Sequence, residues 1–415
     1  MNATSGPAPA SAPLPLVLAG ARGHGRWHLR NIRRLEGLGL VRLAGICEPR
    51  PLDAAELRDA AGPLDSGAPR SRESGAPDAR SSAGPEQSAD LDALLASTGA
   101  RIAVVCTPIQ THTDLALTAA RRGAHVLLEK PPAPSFAEFR RMADGVAAAG
   151  VACQIGFQSM GSHAVPAIRR LVAEGAIGEL LGIGAAGAWV RDEAYFRRAP
   201  WSGRRRLDGA DVVDGALTNP LAHAVATALA LAGSTRAEEV ERIETELLRA
   251  HAIEADDTSC VRVVTARGVR VTVAATLCAE TASEPYVLVH GSRGRITFWY
   301  KQDRVLLQRG GHGPEETVHG RTDLLENLIT HVTRGEALCV PPEDTGAFMR
   351  VVEAIRLAPD PVPLPEAYWR AEAGENGPRR VVAGIDALVG RSADTLGLYS
   401  ELGAPWALAA AAEVR

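Results

Sequence analysis

Lysine is almost absent from this 415-residue sequence: of its 45 basic residues only Lys130 and Lys301 are lysine. A guanidinium stays charged and cannot gain, lose or share a proton, so a lysine kept in an arginine-rich chain marks a position where proton exchange matters. Apolar runs of about 18 residues are missing as well, which excludes a membrane-spanning helix. No excess of positive charge exists, since 45 Lys+Arg stand against 49 Asp+Glu for a net charge of −4, and this excludes a general nucleic-acid binder. The six cysteines (Cys47, Cys106, Cys153, Cys260, Cys278, Cys339) are scattered singly, with no C-x-x-C and no nearby histidine at ligand spacing. Reduced thiols packed as small hydrophobes are expected, and no metal. Residues 1–13, MNATSGPAPASAP, lack the basic start and apolar stretch of a signal peptide, so a flexible tail and a cytoplasmic location are expected.

What is present has the grammar of two domains, as the length also suggests. The run L-P-L-V-L at 14–18 leads into A-G-A-R-G-H-G, after which Leu29, Ile32, Leu35 and Leu38 recur at helical spacing. Strand, glycine turn and helix are followed by a second strand ending at Glu48. Residues 63–88 are rich in Pro, Gly, Ser, Ala and Arg, and read as a disordered insertion. Alternation resumes at Leu91, with the buried run R-I-A-V-V-C, a helix over 113–122, the strand H-V-L-L, a helix N-capped by Ser135 with Glu138 at its third position, and A-C-Q-I-G-F. Such alternation predicts an α/β fold with a doubly wound parallel sheet over 14–157. From 158 to 415 the pattern changes to long β-rich segments with Gly-containing turns, an α+β domain with a mainly antiparallel open sheet. Helices are expected near 322–333, 344–357 and 379–389.

The first glycine turn holds Gly20, Gly23 and Gly25, with Arg22 at the second position of a G-x-G-x-x-G pattern and His24 beside it. Lying between a first strand and a first helix, it can face backbone N–H groups and a helix N-terminus to a pyrophosphate, where Arg22 adds a charge. Glu48 is expected to accept from the adenosine ribose and to repel a 2′-phosphate, favouring NAD. Arg50, two residues on, keeps NADP possible.

Farther along come V-V-C-T-P-x-x-T-H at 104–112, E-K-P at 129–131, W-S-G at 201–203 and G-A-L-x-N-x-x-x-H at 215–223. Together these resemble the glucose-fructose oxidoreductase, inositol dehydrogenase and MocA family over about 14–357, E-K-P being the most specific motif. The resemblance implies an N-terminal Rossmann domain and a C-terminal domain whose open sheet serves substrate and subunit contacts. It implies that Lys130 lies beside nicotinamide and the reacting oxygen, where an ammonium stabilises developing negative charge. Glu129 and Lys130 would join the cofactor site, with Cys106, Thr107, Pro108 and His112 lining the nicotinamide ribose side.

The family's second-domain motif reads D-x-x-x-H, whereas this chain has N-P-L-A-H. His223 occupies the histidine position and, titrating near neutrality, suits proton transfer. Asn219 replaces the aspartate; it can hydrogen-bond a hydroxyl but takes no proton. Their spacing of four puts both on one face of a helix start. Asp214 stands where a glycine is common, to reach substrate or cap a helix. Gln158, Trp201, Arg204 and Asp211 are further substrate-pocket candidates, and Lys301 is expected at the surface.

The implied activity is hydride transfer between nicotinamide and a secondary alcohol or ketone of a sugar, cyclitol or related polyol. Two alternatives remain: a glycoside hydrolase or lyase that oxidises and re-reduces its substrate with permanently held NAD, and a non-catalytic dinucleotide-binding regulator. A small carbohydrate-like substrate is the expected partner, without nucleic acid or membrane. An exposed sheet face predicts a homodimer or homotetramer. The segment after Asp360 lies beyond the resemblance and covers either the pocket or a subunit contact.

Overall fold

The computed structural model describes residues 12–59 and 84–414. Most of the N-terminal tail and residues 63–83 of the expected insertion lie outside the described residues. The first layer consists of β1 (Leu14–Ala19), α1 (Gly25–Gly37), β2 (Val41–Cys47), α2 (Ala54–Asp59), β3 (Glu86–Ser88), α3 (Leu91–Thr98), β4 (Ile102–Val105), α4 (His112–Arg121), β5 (His125–Leu128), α5 (Phe136–Ala148) and β6 (Cys153–Ile155). The six strands pair in parallel in the order β3-β2-β1-β4-β5-β6. That order reverses between β1 and β4, the crevice where such sheets take ligands.

Local signals place these elements. The stripe His28, Leu29, Ile32 and Leu35 buries one face of α1 against the sheet. The Asp90 carboxylate accepts from the Asp92 and Ala93 N–H groups at the start of α3, and Ser135 caps α5 by accepting from Glu138 N–H, as expected. One expectation is corrected: Glu86, Gln87 and Ser88, read as the end of the insertion, form β3 by pairing with Gly45, Ile46 and Cys47. A three-residue polar strand on a sheet edge has no apolar run by which to recognise it.

The second layer follows α6 (Ala164–Ala173). It comprises β7 (Leu180–Ala188), α7 (Glu193–Arg197), the short pair β8 (Arg206–Leu207) and β9 (Ala210–Asp211), α8 (Ala222–Leu231), β10 (Val240–Arg249), β11 (Thr258–Thr265), β12 (Arg270–Thr276), β13 (Tyr286–Gly291), β14 (Gly294–Trp299), β15 (Arg304–Arg309), β16 (Glu315–Val318), α9 (Leu324–Arg334), α10 (Gly346–Leu357), β17 (Val362–Pro363), β18 (Trp369–Gly374), β19 (Gly377–Val382), α11 (Ile385–Thr395) and β20 (Ala411–Val414). Ten strands form one sheet in the order β16-β15-β14-β13-β7-β12-β11-β10-β17, with β20 also on β10; only β7–β12 and β10–β17 are parallel. Residues 379–382, expected to open a helix, instead pair with β18, and the helix starts at Ile385 after Gly384.

Alternation along β7 and β12 splits this sheet into two faces. Ile183, Ala185, Val271 and Val273 join the large core with α8 and α10, while Ala186 and Ala274 face Val382, Ile385, Val389, Ala393 and Tyr399 in a second apolar cluster. The middle of the face expected to be exposed is therefore covered by the chain's own C-terminal segment. A Cβ on Gly184 would sit 1.9 Å from the Ala393 carbonyl oxygen, so β7 needs glycine there for α11 to approach. The hairpin β18–β19 continues to α7, where Asn376 N–H donates to Asp192 at 3.1 Å.

Candidate active site

The glycine turn after β1 is built on backbone proximity. Gly20 has φ +84°, and a Cβ there would lie 2.1 Å from the Cys106 carbonyl oxygen; one on Gly25 would lie 1.9 Å from the Gly20 carbonyl oxygen. Around Gly23 the space is open. A tight cradle with an open middle at the head of α1 fits a dinucleotide pyrophosphate.

The side chains around it differ from expectation. Glu48 accepts from the Ala21 N–H at 2.5 Å and the Arg22 N–H at 3.1 Å, so its carboxylate already braces the turn. Arg22 folds back from the phosphate side. Its guanidinium meets Glu48 at 3.1 Å, both Glu56 oxygens at 2.8 and 2.9 Å, and the Arg50 and Pro51 carbonyls. Hydrogen bonding from Arg22 holds the Glu56 carboxyl at about 2. A bidentate carboxylate within reach outweighs an open position facing solvent. Arg50 contributes its carbonyl here, and its residue is exposed.

The next wall is the loop after β4. His112, at the head of α4, is buried, with Nδ1 2.8 Å from the Pro131 carbonyl and Nε2 2.8 Å from the Thr107 carbonyl. It ties the C-T-P loop to the E-K-P turn, and burial keeps its pKa below the usual value. Thr107 and Thr111 hydroxyls bond at 2.6 Å, Pro108 precedes that turn, and burial pushes the Cys106 thiol well up. All six cysteines are free.

At the end of β5 a buried Glu129 meets His28 Nε2 at 2.9 Å, His24 Nε2 at 3.5 Å and Gln158 Nε2 at 3.4 Å. Burial opposes ionisation of Glu129, but the hydrogen bonds from His24 and His28 outweigh it and hold the carboxyl well below its usual range. The next residue, Lys130, is partly buried in the crevice, and its Nζ donates to the Asn219 carbonyl at 2.9 Å and to Asn219 Oδ1 at 2.8 Å. Burial lowers the Lys130 pKa against the attraction of Glu129 and Asp214. The turn therefore joins the two domains at one ammonium.

Asn219 sits in the turn before α8 and not on a shared helix face with His223, because the helix begins at Ala222. Its Nδ2 donates to Asp214 Oδ1 at 2.6 Å. Asp214, expected to reach substrate or cap a helix, caps no helix and is held by Asn219 instead. Its other oxygen accepts from Gly203 N–H at 2.7 Å and stands 3.5 Å from Arg198. The Arg198 guanidinium lies 3.7 Å from the Tyr195 ring and 4.7 Å from the Trp201 ring.

His223 Nδ1 is 3.1 Å from Ser159 Oγ, which also accepts from Thr227 at 2.9 Å. Burial and the neighbouring Lys130 charge push the His223 pKa down to about 3. This corrects the expectation of titration near neutrality; the imidazole is neutral throughout the physiological range. Arg204 pairs with Glu254 at 3.8 Å and lines a cleft of about 660 Å³ with Phe196, Ser202 and His251. Asp211 is taken by Arg206 and Arg356. Lys301 is half exposed beside Glu284. Nothing in the sequence marked His28, Ser159 or Arg198, which reach the site only through tertiary packing.

Another histidine, His251, meets Asp257 at 2.9 Å and Cys278 at 3.4 Å, all buried. Sequence spacing hid this contact. Both it and the His24–His28–Glu129 group bring potential ligand atoms within 4.8 Å of one another.

The model described as oxidoreductase family, NAD-binding Rossmann fold, matches residues 16–157, and the one described as GFO/IDH/MocA C-terminal domain matches 165–297. Levoglucosan dehydrogenase of Pseudarthrobacter phenanthrenivorans is 26% identical over 148 residues, 35% of this chain and 36% of that protein. The NAD-dependent scyllo-inositol 2-dehydrogenase of Bacillus subtilis is 32% identical over 92 residues, 22% of this chain and 27% of that protein. The matched stretches thus span about a third of these relatives. In fold the chain is similar to the WlbA dehydrogenase from Bordetella pertussis, solved with NADH and UDP-GlcNAcA, at TM-score 0.64, 20% identity and coverage of 83% of this chain and 95% of that one. With both domain models in sequence and the parallel sheet they imply, the chain belongs to the GFO/IDH/MocA oxidoreductase family and carries its NAD-binding Rossmann domain.

Proposed function

We propose that this chain is an NAD-dependent dehydrogenase acting on a secondary alcohol or ketone of a sugar, cyclitol or related polyol. The observation that carries this reading is Lys130, a partly buried lysine at the crevice whose Nζ spends two of its three N–H bonds on Asn219 among the described residues. The third is left for a substrate oxygen. Bound NAD supplies the hydride acceptor or donor. Lys130 holds the substrate oxygen and stabilises the negative charge that develops on it. Asn219 fixes the direction of the ammonium.

Two groups can move the hydroxyl proton. With Nδ1–H donating to Ser159, His223 offers Nε2 as an acceptor, the role expected of it. Its pKa of about 3 makes it a weak base, and the lowered Lys130 pKa favours a second reading in which the neutral amine takes the proton. The pH profile separates them: an active ammonium gives a rate that falls at high pH, an active amine one that falls at low pH. Trp201 and the cleft beside Arg204 are proposed to hold the rest of the substrate, and Glu48 to favour NAD over NADP.

The protein is proposed to be cytoplasmic; no helix among the described residues is long and apolar enough to cross a membrane. The proposed homo-oligomer would form through a surface outside the middle of the second-layer sheet face, which the chain's own C-terminal segment covers. Absorbance at the reduced-nicotinamide band, with NAD or NADP and a panel of sugars, inositols and their keto forms, tests the activity. Steady net change with one compound class supports the dehydrogenase. Consumption of a glycoside without net change by a protein that arrives with NAD bound favours transient redox instead.

A further inference from the structure

The ammonium of Lys130 and the carboxylate of Asp214 are the two ends of one hydrogen-bonded chain. Asn219 lies between them, its Oδ1 accepting from Lys130 at 2.8 Å and its Nδ2 donating to Asp214 at 2.6 Å. An amide held by a cation at its oxygen and an anion at its nitrogen has one orientation of lower energy, and flipping it would break both bonds. Asp214 is fixed in turn by Gly203 N–H and stands beside Arg198, so its carboxylate is neither free for substrate nor solvated. The loop that presents it carries a conformational anomaly immediately before it: Val213 has φ +43°. A β-branched residue in that region is strained, and the surrounding structure must hold it there.

We propose that Asp214 is a positioning residue which, acting through Asn219, orients Lys130 and keeps it protonated. Asn219 itself carries no charge, so the anion acting from this loop is one residue removed from the lysine. The other charged or titratable groups close to Lys130 are Glu129 and Cys106 on the cofactor-domain side, and Arg198 and His223 on the substrate-domain side. Glu129 divides its carboxylate among His24, His28, Gln158 and the Lys130 N–H, and Arg198 opposes the ammonium. Removing the Asp214 charge therefore leaves Lys130 with one shared anion against a guanidinium. The same chain runs from the Gly203 N–H to the lysine, so the W-S-G loop and the reacting group are mechanically joined.

This inference rests on the dehydrogenase reading in which Lys130 acts as an ammonium for its consequence in turnover, but its electrostatic content is measurable without substrate. Because the chain contains only two lysines, biosynthetic labelling with ¹³Cε-lysine gives two resonances, assigned by Lys301→Arg, whose pH titrations report each ammonium directly. Asp214→Asn is expected to move the Lys130 titration down by about one pH unit, the effect of losing a nearby opposite charge, and to leave Lys301 in place. Asp214→Asn combined with Asn219→Asp returns one carboxylate to the chain, now in direct contact with Lys130. It is expected to restore the titration to the wild-type midpoint or above. In turnover, Asp214→Asn should lower kcat about ten-fold with a smaller change in KM, and the double variant should recover most of it.

An unmoved Lys130 titration in Asp214→Asn, or a double variant no different from the single, overturns the proposal. If Asp214→Asn fails to fold, the double variant, which keeps an amide and a carboxylate in contact, still decides by its Lys130 midpoint against wild type. Titrations that move as expected in a protein that turns over no member of the panel uphold the relay and count against the dehydrogenase reading.

Discussion

Two hydrogen-bonded networks in this chain each join a titratable side chain to an aspartate and differ in how they end. One is Lys130–Asn219–Asp214, the other His251–Asp257–Cys278. In the second, the Asp257 oxygens accept from the Ala250 and His251 N–H groups and from His251 Nδ1, and His251 Nε2 lies 3.4 Å from the Arg380 N–H. It closes on backbone, tying β10 and β11 to the C-terminal hairpin. Burial raises the Cys278 thiol well above its usual value, which disfavours the thiolate a nucleophile needs despite its histidine and aspartate. The first network ends at an ammonium with an unspent N–H facing the crevice. Residue types alone do not distinguish a site from a brace; what distinguishes them is whether the last polar group is satisfied from within.

The largest expected effect breaks the first network at its open end. Lys130→Met should lower turnover by on the order of 10³-fold, while NAD binding, followed by quenching of tryptophan fluorescence, stays close to wild type. Survival of turnover would remove Lys130 from the mechanism and erase the contrast. Next is the closed end. Asp257→Ala should cost roughly 3–5 kcal/mol, because it leaves a buried imidazole and two backbone N–H groups without their acceptor. Urea denaturation reads that loss.

Much of the first domain was legible because its strands are apolar runs separated by helical stripes, as at Leu16–Ala19 and His28–Leu35, and because Gly20 stands where only glycine fits. The E-K-P and N-P-L-A-H motifs located Lys130, Asn219 and His223. The partners of those residues were not legible. Asp214 and Asn219 bond across an irregular loop with no helical or strand period, and His251 meets Cys278 across 27 residues. Arg22 was misjudged because Glu56, which captures it, comes 34 positions later on another helix. The acidity of His223 was misjudged because burial and the Lys130 charge are tertiary properties. The covered sheet face was hidden because the segment after Asp360 shows no long apolar stripe until it folds over Ala186 and Ala274.

A smaller effect is read by pH at the histidine beside the first network. His223 has a folded-state pKa near 3, below the unfolded value of about 6.5. Between those values the unfolded chain binds a proton that the folded chain does not, so this residue makes stability fall as pH drops from about 6.5 toward 3. His223→Gln should flatten that part of the urea-midpoint curve. An unchanged slope would mean that His223 titrates normally in the folded chain.

The smallest effect compares the two lysines. Lys301 is half exposed, pairs with Glu284 at 3.1 Å and stands 5.7 Å from the Trp189 ring. A guanidinium can replace it in both contacts, and surface pairs of this kind contribute about 0–1 kcal/mol. Lys301→Arg should therefore leave kcat and the melting temperature essentially unchanged. Lys130→Arg makes the same chemical exchange inside the crevice, where a larger planar group cannot donate to both Asn219 oxygens in the same geometry and cannot release a proton. It should be nearly as damaging as Lys130→Met. If both arginine variants are silent, then the scarcity of lysine in this chain carries no functional signal, and the argument that first singled out Lys130 falls with it.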